Sequence, residues 1–161
     1  MKSLRKVEVF NQSALVDFEP RRVERLARVL DEFLPENLRA PAGWLSVAVM
    51  DDEALCKIHS DFLGDPSKTD VITFEGDPLE GFAGEICVSA ERALEVCGSY
   101  SNTPNLELCL YVAHGMLHLA GVDDILPEDA AKMRAAEAAA MGVIKRKFRK
   151  NVFNFKEGKN V

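Results

Sequence analysis

Apolar and polar positions in this chain repeat with two periods, and the switch between them marks out the elements. "KVEVFN" (6–11) alternates apolar and polar residues, as a half-buried strand does. From Pro20 to Leu34 the period becomes helical. Val23, Leu26, Ala27, Leu30, Phe33 and Leu34 fall on one stripe, Pro20 suits a first helical position, and Pro35 ends the run. "LSVAVM" (45–50) is apolar enough for a buried strand. A short helix follows from Asp51 or Asp52, with Leu55, Ile58, His59 and Phe62 on its apolar side and Gly64 as its stop. "DVITF" (70–74) and "EICVS" (85–89) are β-branched and aromatic, joined through the loop "GDPLEGFAG". Ser89 caps a helix to about Cys97, closed by Gly98. Thr103-Pro104 starts another helix, whose stripe Leu106, Leu110, Ala113 and Leu117 carries it to about Ala120, with Gly121 behind. An Ala-rich helix runs from near Pro127 to Met141, with Gly142 after it.

The order β-α-β-α-β-β-α-α-α predicts the α+β class: a single domain with a small mixed sheet of about four strands covered by about five helices. The chain has 161 residues, enough for one sizeable core. Nothing in it repeats.

The helix that ends at Gly121 carries the chemistry. "HGMLHLAGVDD" (114–124) places His114 and His118 four apart, hence on one helical face, inside an apolar run where an imidazole needs a partner. Gly121 lets the chain turn, and the turn can return Asp124 to the pair. Two imidazoles and one carboxylate make three ligands with a fourth position left for water, the arrangement of a catalytic rather than a structural zinc site. Metzincin-like metalloproteases share the spacing, but their general-base glutamate would stand at Gly115, which has no side chain. The pattern specifies a metal and no particular reaction.

Charge and cysteines narrow the setting. Residues 145–161 carry seven basic residues and one acid, while 1–144 carry 13 basic and 25 acidic. The acidic body disfavours indiscriminate binding to nucleic acid. The basic C-terminal tail (145–161, beyond a domain of 1–144) either contacts phosphates or is a solvated end. Cys56, Cys87, Cys97 and Cys109 form no close pair, which fits reduced thiols packed as small hydrophobes in a cytoplasmic protein. The start has no apolar block of a signal peptide, and no apolar run is long enough to span a membrane.

With "HGMLHLAGVDD" and "KTDVITF" both present, the chain resembles the bacterial YbeY endoribonucleases, the rRNA maturation factors. Their signature reads roughly H-G-x-L-H-L-x-G-Y-D-H, matched by His114, Gly115, Leu117, His118, Leu119, Gly121 and Asp123. A T-D-V-L-S-F strand is matched by Thr69, Asp70, Val71, Ile72, Thr73 and Phe74, and a G-D-I strand by Gly84, Glu85 and Ile86. Met133 and Glu137 are candidates for a Met and a Glu that the family carries on its last helix.

The resemblance implies one zinc ion per chain, cutting of single-stranded RNA near the 3′ end of 16S rRNA, and a role in ribosome quality control. It implies small-subunit proteins or a ribosome-associated GTPase as partners, and no membrane.

Two departures stand out. The third ligand is normally histidine and here is Asp124, which lowers the net charge of a zinc site from +2 to +1 and, as a harder oxygen donor, admits manganese or iron. The family's Tyr-Arg pair, with its RNA-facing arginine, aligns with Phe62 and Leu63; Lys68 is the nearest replacement cation. Thr69, Asp70 and Thr73 begin the strand that the family sets beside the cleft, against an alternative of turn and strand-end hydrogen bonding. Asp123 is the candidate proton acceptor, against an alternative role in the turn. A different class of function is also open: a ribosome-assembly binder whose metal is structural and whose catalysis is weak or absent.

Overall fold

The computed structural model describes residues 5–65, 67 and 69–156; Lys68 lies outside the described residues. Strands β1 (Val7–Asn11), β2 (Val16–Asp17), β3 (Trp44–Met50), β4 (Val71–Asp77), β5 (Phe82–Ser89) and β6 (Asn154–Phe155) alternate with helices α1 (Pro20–Phe33), α2 (Asp52–Leu63), α3 (Ala90–Val96), α4 (Pro104–Leu119) and α5 (Pro127–Lys147). The main sheet has the order β1-β3-β5-β4. β1, β3 and β5 are parallel and β4 is antiparallel to β5, so the sheet is mixed, as the element order predicts. β2 and β6 form a separate antiparallel pair.

Side-chain alternation along β3 divides the interior. Leu45, Val47 and Val49 face a large core shared with α1, α4 and α5, while Ala48 and Met50 face a smaller one shared with Leu55 of α2 and Ile72 of β4. Helix α4 lies in the large core and is buried well beyond its predicted stripe: Leu108, Cys109, Val112 and Met116 are buried as well. Its start is the predicted one, with the Thr103 hydroxyl accepting from the Leu106 N–H at 3.2 Å. Gly64 takes the left-handed conformation at the end of α2, also as expected.

Several details depart from the sequence reading. Phe33 and Phe62 are not on buried stripes; Phe62 is 70% exposed and meets Phe74 edge-on at 5.7 Å. β4 and β5 extend toward each other through "GDPLEGFAG", closed by a 3-10 turn at Pro78–Glu80. α5 does not stop at Gly142. Val143 and Ile144 beyond it are buried, and burying them outweighs the helix penalty of one glycine, about 1 kcal/mol. The basic segment is therefore not a solvated end over its described part: Lys145–Lys147 complete α5, and Val152 and Phe153 are buried. All four cysteines are free thiols, and burial pushes Cys87 and Cys109 up to about 12.

Candidate metal centre

His114 and His118 project from the last turn and a half of α4. Their rings stand edge to face, 4.5 Å between centroids. The helix ends in a left-handed turn at Gly121 (φ 98°): the Gly121 N–H donates to the His118 carbonyl at 3.0 Å and the Val122 N–H to the Leu117 carbonyl at 3.0 Å. Asp123 Oδ1 then accepts from the main-chain N–H of Asp124 at 2.7 Å and of Ile125 at 3.3 Å. This second turn aims Asp124 back at the helix. Asp124 Oδ2 lies 3.7 Å from His114 Nε2 and 3.6 Å from His118 Nε2. All three ligand atoms fall within 4.8 Å of one another, and each residue is partly buried.

These separations fit a metal ion. Tetrahedral zinc, with bonds near 2.0–2.1 Å, sets its ligand atoms roughly 3.3 Å apart. The two separations from Asp124 to the imidazoles exceed that by only a few tenths of an ångström.

The surroundings prepare the ligands. His114 Nδ1 lies 2.6 Å from Glu137 Oε2 on α5, so the ring donates there and turns an unprotonated Nε2 toward Asp124. Glu137 is itself fixed by Arg134, whose Nη1 is 3.0 Å from Oε1. His118 titrates below the ordinary histidine range. Burial is the main cause and the neighbouring His114 the second; Asp124, Asp123 and the Val122 main chain pull the other way. A depressed value keeps the ring neutral and able to bind a cation near pH 7.

Glu137, which the resemblance names as a candidate on the last helix without a role at the metal, is the member that the residue pattern leaves unassigned. The signal was its phase: it falls in register with the buried Met133, Ala140 and Ile144, where an acid is conspicuous.

The other expected residues lie on β4 and just before it. Thr73 sits at the level of the histidines; a Cβ on Gly115 would lie 3.2 Å from its Cγ2 and 2.5 Å from Ile86 Cγ2. Position 115 therefore packs against the sheet and has no room for a glutamate base. Thr69 Oγ1 donates to the Val71 carbonyl at 3.3 Å, a strand-end bond. Asp70 is exposed; burial first, then the charges of Glu107 and Asp70, hold the Tyr111 phenol well above its usual range. Leu63, at the position of the family arginine, is 57% exposed at the end of α2. His59 Nδ1 is 3.1 Å from the Ser67 carbonyl and serves the loop after α2.

Comparison with known proteins identifies the family. The sequence profile described as Endoribonuclease YbeY matches residues 8–145. An Endoribonuclease YbeY of Rhodopirellula baltica is 43% identical over 106 residues, 63% of this chain and 54% of that protein. One of Symbiobacterium thermophilum is 34% identical over 142 residues, 79% of this chain and 89% of its own length. Another, of Chlamydia pneumoniae, is 30% identical over 152 residues, covering 88% and 92%. The solution structure of TM1509 from Thermotoga maritima superposes with a TM-score of 0.56 at 24% identity, over 87% of this chain and 92% of that one, a likeness of fold. The profile match covers most of the chain and these relatives cover from 63% to 88% of it, so the chain belongs to the Endoribonuclease YbeY family.

Proposed function

We propose that this chain is a metal-dependent endoribonuclease that hydrolyses phosphodiester bonds in single-stranded RNA, acting in the cytosol on the 3′ end of 16S rRNA. The observation that supports it best is the convergence of His114 Nε2, His118 Nε2 and Asp124 Oδ2 on one point, with Glu137 behind the first ring.

Zinc is the ion these residues suit, and one carboxylate among them also accepts manganese or iron. The chemistry such an ion supplies is acidification of a water and polarisation of a phosphoryl oxygen. The chain's own groups do the rest. His114 and His118 would hold the ion without neutralising it, and Asp124 would offset one unit of its charge. Glu137 fixes the tautomer and plane of His114. Asp123 commits Oδ1 to the turn and, being exposed, offers its second oxygen to a proton released during attack. Thr73, beside Gly115, lines the approach from β4. Thr69 and Asp70, just before the strand, extend that approach.

A single-stranded oligoribonucleotide incubated with the purified chain tests this. Cutting is expected with metal, and is expected to stop on chelation and in the double variant His114→Ala, His118→Ala. Chelator-sensitive folding with no cutting at all would instead support the assembly-binder reading, which the exposed Leu63 at the arginine position favours.

A further inference from the structure

A cavity lies at the start of α4, the end away from the metal ligands. It measures about 250 Å³ and is bounded by Thr103 and Asn105 at the start of α4 and by residues 144–145 and 148–152 at and beyond the end of α5. Lys145, Arg149 and Lys150 line it, and no carboxylate does among the described residues. None of these three cations makes an ion pair within the described residues. The C-terminal dipole of α5 accounts for basic residues in its last turn, Lys145–Lys147, but not for Arg149 and Lys150, which lie past the helix.

The segment that carries them is held in place. Val152 and Phe153 are buried, Arg22 Nη1 donates to the Asn151 carbonyl at 3.2 Å, and the Phe153 N–H donates to Asn105 Oδ1 at 2.9 Å. Asn105 is only 8% exposed, and with Oδ1 so engaged its amide nitrogen has no hydrogen-bond partner among the described residues. That nitrogen keeps contact with solvent. Together with Lys145, Arg149 and Lys150, which make no ion pair among the described residues, it offers an anion a set of accessible donors. Leu106, Ile144, Phe148 and Val152 supply an apolar wall, which strengthens each charge contact.

Given RNA as the substrate, we propose that this cavity and its rim of Lys145, Arg149 and Lys150 bind the phosphodiester backbone of single-stranded RNA outside the metal centre. Asn105 stands nine residues before His114 on the same helix, roughly 14 Å along its axis. At about 100° per residue the two also lie on opposite sides of α4, so the cavity would hold RNA apart from the metal ligands. The rest of the molecule is acidic, so the patch supplies the attraction that the body lacks.

The test is fluorescence anisotropy of a labelled single-stranded oligoribonucleotide with the full chain, over a salt series, with chelator present to prevent cutting. The triple variant Lys145→Ala, Arg149→Ala, Lys150→Ala removes only exposed side chains, and circular dichroism checks its fold. Its affinity is expected to weaken about tenfold or more at low salt, and the slope of log affinity against log salt to fall by about 2, near 0.7 for each lost phosphate contact. A variant that binds with unchanged affinity and slope overturns the proposal, whether the patch then holds an acidic protein or nothing. Metal-dependent cutting by the wild-type chain is scored separately on the same RNA. Binding through the patch without cutting contradicts the catalytic reading and leaves this one standing, whereas a wild-type chain that binds no RNA overturns both.

Discussion

At the scale of single residues, the centre depends on groups that touch no substrate. Glu137 holds His114 at 2.6 Å and is held in turn by Arg134. Truncation by Glu137→Ala releases the ring and its tautomer, and is expected to weaken zinc affinity by about 10- to 100-fold in a competition titration. Unchanged affinity would show that the ring is oriented by packing alone. His118 gives a prediction in pH. Its folded value is lowered, so in the metal-free chain the unfolded state takes up the proton first, below about pH 6.5. Stability from this group is intact above that pH and is lost as pH falls toward the folded value. Thermal melts at pH 7.5 and 5.5 should therefore differ more for wild type than for His118→Gln; equal differences would remove His118 from the acid response. At this scale the two histidines and Asp124 were legible because helical spacing and a glycine turn bring them together. Glu137 was not assigned to the site because its partner is 23 residues away, a pairing that only the packing of α5 on α4 creates.

Among the elements, α4 is the one whose position decides the chemistry, and glycines decide how closely it packs. A Cβ at Gly115 would meet Ile86 Cγ2 at 2.5 Å, and one at Gly84 (φ 151°) would meet Leu119 Cδ2 at 2.7 Å. Helix and sheet approach too closely there for any side chain. Gly115→Ala is expected to cost about 1–3 kcal/mol by overpacking, despite the better helix propensity of alanine, read as a lowered midpoint in urea. An unchanged or raised midpoint would mean that Ile86 gives way freely. Helix limits were readable where caps are local, as at Thr103, Ser89 and Gly64. They were misread at Gly142, where burial of Val143 and Ile144 overrides a local stop signal. The strand extension at Gly76 has no local signal, and Gly84 enters a strand only through the family resemblance: these glycines serve close approach rather than a turn. Sheet order and the two-residue strands β2 and β6 leave no periodic trace.

Over the whole molecule, a central sheet with helices on both faces carries the candidate metal centre at the end of α4 and a basic surface at its start. Among the described residues no helix is long and apolar enough to cross a membrane. The basic end is anchored through Phe153, which is fully buried and meets Phe18 edge-on at 5.3 Å. Phe153→Ala is expected to cost about 3–5 kcal/mol in urea unfolding, a large share of the total stability of a domain this size. A cost under about 1 kcal/mol would mean that the segment contributes little to the fold. Single-domain α+β architecture was legible at this scale because element order and length constrain it. The anchoring was not, because a cluster of lysines and arginines masks three apolar residues, Val152, Phe153 and Phe155, that pack behind it.

The most direct measurement is metal binding by the purified chain, stripped and then titrated with zinc, beside Asp124→Ala. One tight equivalent per wild-type chain is expected, with affinity in the variant lower by at least about 100-fold, since one of three ligands is gone. Equal uptake by wild type and variant, or none by either, would contradict a three-ligand centre on His114, His118 and Asp124.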